Sequence, residues 1–489
     1  MSSGRTGGRS WLKLTFAFCL PLIILTVLSL ITVPLANVAS AQDAAAAANP
    51  YEAIDTGETA WILTCSALVL FMTPGLAFFY GGLVRSRNVL NTMMMSLVSM
   101  GIVGVTWILW GYSLSFNYSS LNDKNFATGL EQFIGGLGWF GLNGVGLDPH
   151  PVYAATIPHQ AFMVYQMMFA IITVALVSGA IAERMSFKAY FWFLVLWSTF
   201  IYCPLAHMVW GRGLLGAMGA LDFAGGTVVH VSSGVSALVA AWLLGPRKDW
   251  TVKPIVPHNV PFVLLGVGIL WFGWFGFNGG SAIGIGADVT KYASATVAVI
   301  ATTVAASAAG LAWLLAEWFT KGKPTAVGIG TGFVAGLVGI TPAAGFVTPL
   351  SAIVIGAIVS LCCFVAVNIK AKLQFDDSLD TFPVHGVGGT IGAILTGIFA
   401  TKAVNGIGAD GLLFGNPGQL WTQILGVLIA WVIAAVGTLI ILKVLSLFME
   451  LRVRPEVEDE GLDVHEHGEE GYGENLAGEL SFATKTSEP

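Results

Sequence analysis

Charge is the scarce ingredient of this chain. Of its 489 residues, 22 are Lys or Arg and 28 are Asp or Glu, which makes 10% charged, where a soluble domain carries roughly 25%. That leaves too little polar surface to cover a folded body of this size in water, and it excludes a soluble globular protein. Cysteine is scarce too. The five, Cys19, Cys65, Cys203, Cys362 and Cys363, form no C-x-x-C pair, and Cys362 and Cys363 lie within an apolar run. They read as small core residues, not as a redox or metal site. No metal, no cofactor and no nucleic-acid partner is expected. What is abundant is apolar: 55% hydrophobic residues, a mean hydropathy of +0.77 and 60 glycines. Helices in lipid associate through close packing of small residues, since lipid tails offer no hydrophobic drive. The class is membrane protein.

The first residues form a unit of their own. Arg5, Arg9 and Lys13 precede an apolar run from Leu14 to Val38, and Ala39-Ser40-Ala41 follows, a small-x-small pattern suited to signal peptidase. This predicts a signal peptide over 1–41 and a periplasmic segment over 42–59; an uncleaved anchor helix is the alternative. Eleven apolar runs follow, each long enough to cross roughly 30 Å of hydrocarbon. They lie near 60–84, 92–115, 157–182, 188–207, 226–245, 260–281, 292–319, 325–341, 345–369, 384–400 and 419–448. The expected fold is an all-α polytopic membrane protein with its transmembrane domain over 60–450 and a tail over 451–489.

Orientation follows from the positive charges. With the mature N-terminus outside, the inner loops hold eleven: Arg85, Arg87, Arg184, Lys188, Arg247, Lys248, Lys253, Lys321, Lys323, Lys370 and Lys372. The outer loops hold four, Lys124, Arg212, Lys291 and Lys402. The bias predicts a cytoplasmic C-terminus and one long outer loop over 116–156. Two segments also resemble each other. Val228-Val229-His230 is followed by Val231-Ser232-Ser233-Gly234, and Pro383-Val384-His385 by Gly386-Val387-Gly388-Gly389. If spans one to five repeat as six to ten, the odd number per unit inverts the second copy. Such repeats place a site near the membrane midplane; the eleventh helix stands outside the pair.

His230 and His385 are the sharpest feature, because ionisable groups inside spans are rare and face a cavity or a partner. Each alone reads as a satisfied bundle histidine; two at matching repeat positions read as a pair. Desolvation favours neutral rings, and a neutral ring offers one N–H donor and one lone-pair acceptor. That suits a small hydrogen-bonding solute such as NH3 and offers little to a bare alkali cation. Around the pair lie Phe169, Trp210, Phe277 and, a helical turn after it, Ser281. Ring faces and a hydroxyl can hold a small cation, each ring contributing roughly 0.5–2 kcal/mol; singly, each aromatic reads as packing or interfacial belt. Asp222 opens the fifth helix, either as a cap accepting backbone N–H bonds or as a direct cation ligand.

The run from Asp222 to His230, DFAGGTVVH, resembles the signature of the ammonium transporter (Amt) family, bacterial type. So do Ala206-His207-Met208-Val209-Trp210, Trp274-Phe275-Gly276-Phe277-Asn278 and Val384-His385-Gly386, and the likeness extends from about Glu58 to Tyr472. The resemblance implies ammonium or ammonia transport across the bacterial inner membrane, for nitrogen uptake, by a homotrimer with one pore per subunit. It places Phe169, Trp210, Phe277 and Ser281 at an outer recruitment site and phenyl gate. It makes His230 and His385 the twin pore histidines, Trp274 a pore-wall residue and Asp222 a structural aspartate near the site. Tyr165 departs from the pattern, which often has Phe there; the ring is retained, so a modest change at the vestibule is expected. Glu460-Gly461-Leu462-Asp463-Val464 and His467-Gly468-Glu469 resemble the family's cytoplasmic tail, which implies a PII-type signal protein as partner. By composition alone, 456–479 is a solvated acidic tail. The rivals are an Rh-type ammonia or CO2 channel, against which Trp210 and Ser281 argue, and an ammonium sensor, for which the stretch after Leu451 is short. An intramembrane enzyme would need a nucleophile beside a histidine, and neither histidine has one in a recognisable motif.

Overall fold

The computed structural model describes residues 53–119, 126–248, 250, 255–282, 291–373 and 375–472. The signal-peptide segment with its Ala41 cleavage point, residues 42–52 and the chain beyond Tyr472 lie outside the described residues. Among the described residues, ten helices are long and apolar enough to cross a membrane. They are α1 (Thr56–Leu83), α2 (Ser86–Phe116), α3 (His159–Ile181), α4 (Phe187–Ala217), α5 (Gly226–Leu244), α6 (Val260–Ala282), α7 (Ser294–Lys321), α9 (Pro349–Lys370), α10 (Phe382–Phe399) and α11 (Pro417–Ser446). The eleventh expected span is α8 (Ala326–Ile340).

Helix α8 is short for a reason. Its 15 residues rise only about 22 Å, against roughly 30 Å of hydrocarbon. The backbone continues through a turn over 341–347 in which every residue is buried. Irregular backbone is tolerated at membrane depth where protein, not lipid, surrounds it. That turn meets the start of α5, where Phe223 N–H donates to Pro342 O at 3.2 Å.

Side-chain caps set several helix starts. Asp55 accepts from Glu58 N–H at 2.8 Å, Asn259 from Phe262 N–H at 3.0 Å and Thr325 from Gly328 N–H at 2.9 Å. The first helices of the two expected repeats, α1 and α6, pack along a glycine seam. A Cβ on Gly75 would fall 2.6 Å from Ile269 Cγ2, and one on Gly276 would fall 2.7 Å from Leu68 Cβ. The all-α expectation misses one feature: the 116–156 loop runs into a small antiparallel hairpin, β1 (Pro149–His150) with β2 (Ala154–Pro158).

One face of the bundle carries a buried ionic cluster. Glu183, just after α3, accepts from Arg85 Nε at 2.9 Å, Asn88 Nδ2 at 2.9 Å and Arg247 Nη1 at 2.7 Å. Arg247 in turn grips Asp376 with Nε at 2.9 Å and Nη2 at 2.7 Å. Three loops expected to be inner thus meet the α9–α10 connection on one face. Burial opposes the charge on Glu183, but Arg247 and Arg85 outweigh it and bring its pKa down from 4.5 to about 2.

The tail docks on the same face through a short helix, α12 (Pro455–Glu460), and a π-turn (Asp463–His467). Asp463 accepts Leu90 and Asn91 N–H at 3.0 and 2.7 Å, satisfying free donors at the start of α2. Leu462 N–H donates to Asn88 Oδ1 at 2.8 Å, and the Tyr472 hydroxyl meets His258 Nε2 at 2.8 Å. Up to Tyr472 the acidic stretch is therefore packed, not merely solvated.

Candidate functional site

The site is built where α5 and α10 begin. Both helices open with a π-helical turn, Gly226–Val231 and Phe382–Val387, and each turn carries one of the histidines. Such wide turns are rare and gather at functional sites. The helices touch backbone to backbone: a Cβ on Gly234 would collide with Gly386, and one on Gly389 would lie 2.9 Å from His230 Cβ. Each glycine stands four residues after one histidine and packs beside the other. The crossing is thus reciprocal, as an inverted repeat requires, and it sets His230 Nδ1 3.2 Å from His385 Nδ1. The two rings are near parallel, at 28° and 5.3 Å between centroids.

A single proton occupies that Nδ1–Nδ1 contact. When the rings are neutral, one Nδ1 donates and the other accepts, so the outward Nε2 atoms differ: one is a donor and the other an acceptor. His230 Nε2 is buried and has no protein partner. The His230 ring borders a small enclosed cavity shared with Trp274, Phe277 and His385. Trp274 lies against His230 at 5.4 Å and 20°, held by its indole N–H, which donates to Thr341 Oγ1 at 2.9 Å.

Above the histidines, Phe277 lies 6.0 Å from His230, and Phe169 stacks on Phe277 at 4.2 Å and 27°. Trp210 stands edge-on to Phe169 at 6.0 Å, and its indole N–H donates to Asp222 O at 2.9 Å. The Asp222 carboxylate itself accepts four backbone N–H groups, from Gly225, Gly226, Thr227 and Val228, at 2.6–3.1 Å. That saturates its lone pairs and turns it toward the helix start. Gly225 takes φ 110° there, a backbone state open to glycine. Ser281, at the end of α6, donates to Phe277 O at 2.9 Å and sits 3.2 Å from the Tyr165 hydroxyl.

These residues border three cavities in series. The first, about 750 Å³, is lined by Phe169, Trp210 and Ser281. In the second, only about 10 Å³ is open to a water-sized solute, among Phe277, Trp274, His230, His385 and aliphatic side chains. The third, about 40 Å³, runs from His385 past Tyr80 and Thr381 to Asp380. Phe169 and Phe277 separate the first from the second, and His385 borders both the second and the third.

Sequence reasoning passed over three groups. Asp377 precedes His385 by the same eight residues that separate Asp222 from His230, and its carboxylate accepts Phe382 N–H at 2.7 Å. The matching interval was the available signal. Thr341, which fixes Trp274, and the Glu183–Arg247–Asp376 cluster carried no local signal, because their partners are far apart in the chain.

A bundle of membrane-crossing helices around an enclosed file of aromatic and imidazole rings is a membrane transport protein for a small solute. The model of the Ammonium Transporter Family matches residues 60–472, and the chain belongs to that family. An ammonium transporter of Bacillus subtilis is 49% identical over 421 residues, 86% of this chain and 99% of that protein. One from Aquifex aeolicus is also 49% identical, over 86% of this chain and 94% of its own. Among solved structures, Saccharomyces cerevisiae Mep2 is similar at a TM-score of 0.75 and 38% identity, covering 83% of this chain and 90% of that one. A structure described as a sensor Amt protein matches at a TM-score of 0.74 and 31% identity, over 84% and 98%. The two bacterial relatives are ammonium transporters, not enzymes.

Proposed function

We propose that the three cavities form the ammonium pathway and that the ring file is its filter. The observation that carries this reading is the order of residues along one line: Trp210 and Ser281, then Phe169 and Phe277, then His230 and His385. An ammonium ion is held in the wide cavity by the faces of Trp210 and Phe169, each worth roughly 0.5–2 kcal/mol, and by the Ser281 oxygen. Passing the stacked phenyl rings strips its water. In the cavity beyond, few polar atoms replace that hydration, which favours passage as NH3, while the proton it gives up is relayed through the hydrogen-bonded His230–His385 pair, so that one charge crosses with each ammonia. The unpartnered Nε2 of His230 is the first polar atom it meets. Asp222 acts by holding the start of α5 and, through its own carbonyl, Trp210.

The charged face that carries the tail is cytoplasmic in this reading, and the wide cavity opens outside, in a bacterial inner membrane. The chain assembles as a homotrimer in lipid, takes up ammonium as a nitrogen source and meets a PII-type signal protein at its tail face. The test is electrophysiology on reconstituted protein, with ammonium pulses compared with potassium pulses. The parent protein passes current for ammonium and none for K+. His230→Asp places a carboxylate in the filter and admits K+. A His230→Asp protein that remains folded and shows no K+ current would remove His230 from the pathway.

A further inference from the structure

Tyr165 and Phe169 stand one turn apart on α3, so one helix face supplies both the gate ring and a phenol. The two phenol and serine oxygens near it have two protons to place. Tyr165 O–H lies 2.9 Å from both Gly276 O and Phe277 O, carbonyls in the last two turns of α6. Ser281 O–H has Phe277 O at 2.9 Å and the Tyr165 oxygen at 3.2 Å. Both protons therefore have inward acceptors. The Tyr165 side chain is 1% exposed and lies behind Ser281, which itself lines the wide cavity. The hydroxyl also has a fitted place: a Cβ on Gly280 would stand 2.7 Å from its oxygen.

We propose that Tyr165 is a positioning residue for cation capture, fixing Ser281 so that it presents lone pairs, and no proton, to the wide cavity. This rests on the reading of that cavity as the ammonium site. An oxygen whose proton is tied inward accepts an N–H from a cation, whereas a freely rotating hydroxyl spends part of its time turning its positive end outward. A hydroxyl that donates inward is also a better acceptor, since linked hydrogen bonds polarise one another. Phenylalanine at 165 would keep the ring and remove one of the two inward partners of Ser281, leaving Phe277 O alone, together with the donor to the α6 carbonyls.

The experiment is the ammonium concentration dependence of current in proteoliposomes, per amount of folded protein. It compares the parent, Tyr165→Phe, Ser281→Ala and the double variant. A single internal hydrogen bond corresponds to roughly a two- to tenfold change in an equilibrium constant. Tyr165→Phe is accordingly expected to raise KM by about that factor, with a smaller change in maximal current, and to add nothing in the Ser281→Ala background. The proposal is overturned by an unchanged KM in Tyr165→Phe, by a loss confined to maximal current, or by an equal rise in KM without Ser281. A different result sinks the site itself: if Ser281→Ala leaves KM where it was, the wide cavity does not capture the ion through Ser281.

Discussion

The starts of α5 and α10 are two solutions to one problem. Each must satisfy free N–H groups at a helix start buried in a membrane protein, and each uses an aspartate eight residues before its histidine. Asp222 does so alone, with four backbone donors on its two oxygens. Asp377 accepts Phe382 N–H at 2.7 Å and leaves its Oδ1 unpartnered. Its neighbours are ionic: Lys370 Nζ donates to Asp377 O at 2.6 Å and pairs with Asp380 at 2.5 Å, and Asp376 holds Arg247. One end is a closed cap beside an aromatic cage. The other is a cap embedded in a charge cluster that also reaches the tail, because Asn88 bonds both Glu183 and Leu462. The same backbone frame therefore carries an aromatic cluster at one end and a link to the tail face at the other.

The comparison breaks most visibly at Arg247. Its removal leaves Glu183 and Asp376 buried with too little countercharge, and losing one partner of such a pair destabilises by roughly 3–5 kcal/mol. Arg247→Ala is expected to lower the melting temperature of the purified protein sharply and to loosen the tail, read as protease cleavage between Leu451 and Tyr472. A protein that melts like the parent would show that the cluster does not hold that face together.

Acid acts on the same cluster with a defined sign. The folded pKa of Glu183 is brought down from 4.5 to about 2, so its contribution is present above 4.5 and is lost as pH falls toward 2. The gap in melting temperature between the parent and Glu183→Gln is expected to hold steady at neutral pH and to narrow below pH 4.5. A gap that stays constant through that window would mean that shape, not charge, sets the role of Glu183.

Asp222 gives the smallest and most diagnostic change. Loss of a helix cap is worth roughly 0.5–2 kcal/mol; Asn at 222 keeps one acceptor oxygen for two of the four N–H groups and turns an NH2 donor toward the other two. Asp222→Asn should keep a reduced but measurable ammonium current per folded protein, while Asp222→Ala falls further. Equal and total loss in both, with folded protein intact, would show that a single acceptor oxygen at 222 does not hold the start of α5 for transport.

Hydropathy alone located all eleven helices to within a few residues at most ends, because 55% hydrophobic composition and a lipid solvent leave the backbone no alternative to helix. The largest offset is at α2, whose run was expected from 92 while the helical stretch starts at Ser86; the run expected to stop at 207 meets a helix that ends at Val209, before Gly211, Arg212 and Gly213 break the α4 stretch. Periodic local signals likewise exposed His230 and His385, since a polar residue stands out against an apolar run. Contacts that depend on chain crossing left no such trace. Thr341 meets Trp274 across 67 residues, and Arg247 meets Asp376 across 129.

What the sequence by itself determined was the class, the helices, the two histidines and the roster of aromatic residues around them. Only the tertiary structure decided that the imidazoles meet Nδ1 to Nδ1, that Asp222 spends its charge on backbone donors, and that the Tyr165 hydroxyl lies behind Ser281. Composition and period record where a residue sits along the chain and in which solvent. A hydrogen bond depends on where two distant backbones cross, and here the crossing is set by glycines such as Gly234 and Gly386, whose lack of a side chain lets the helices close.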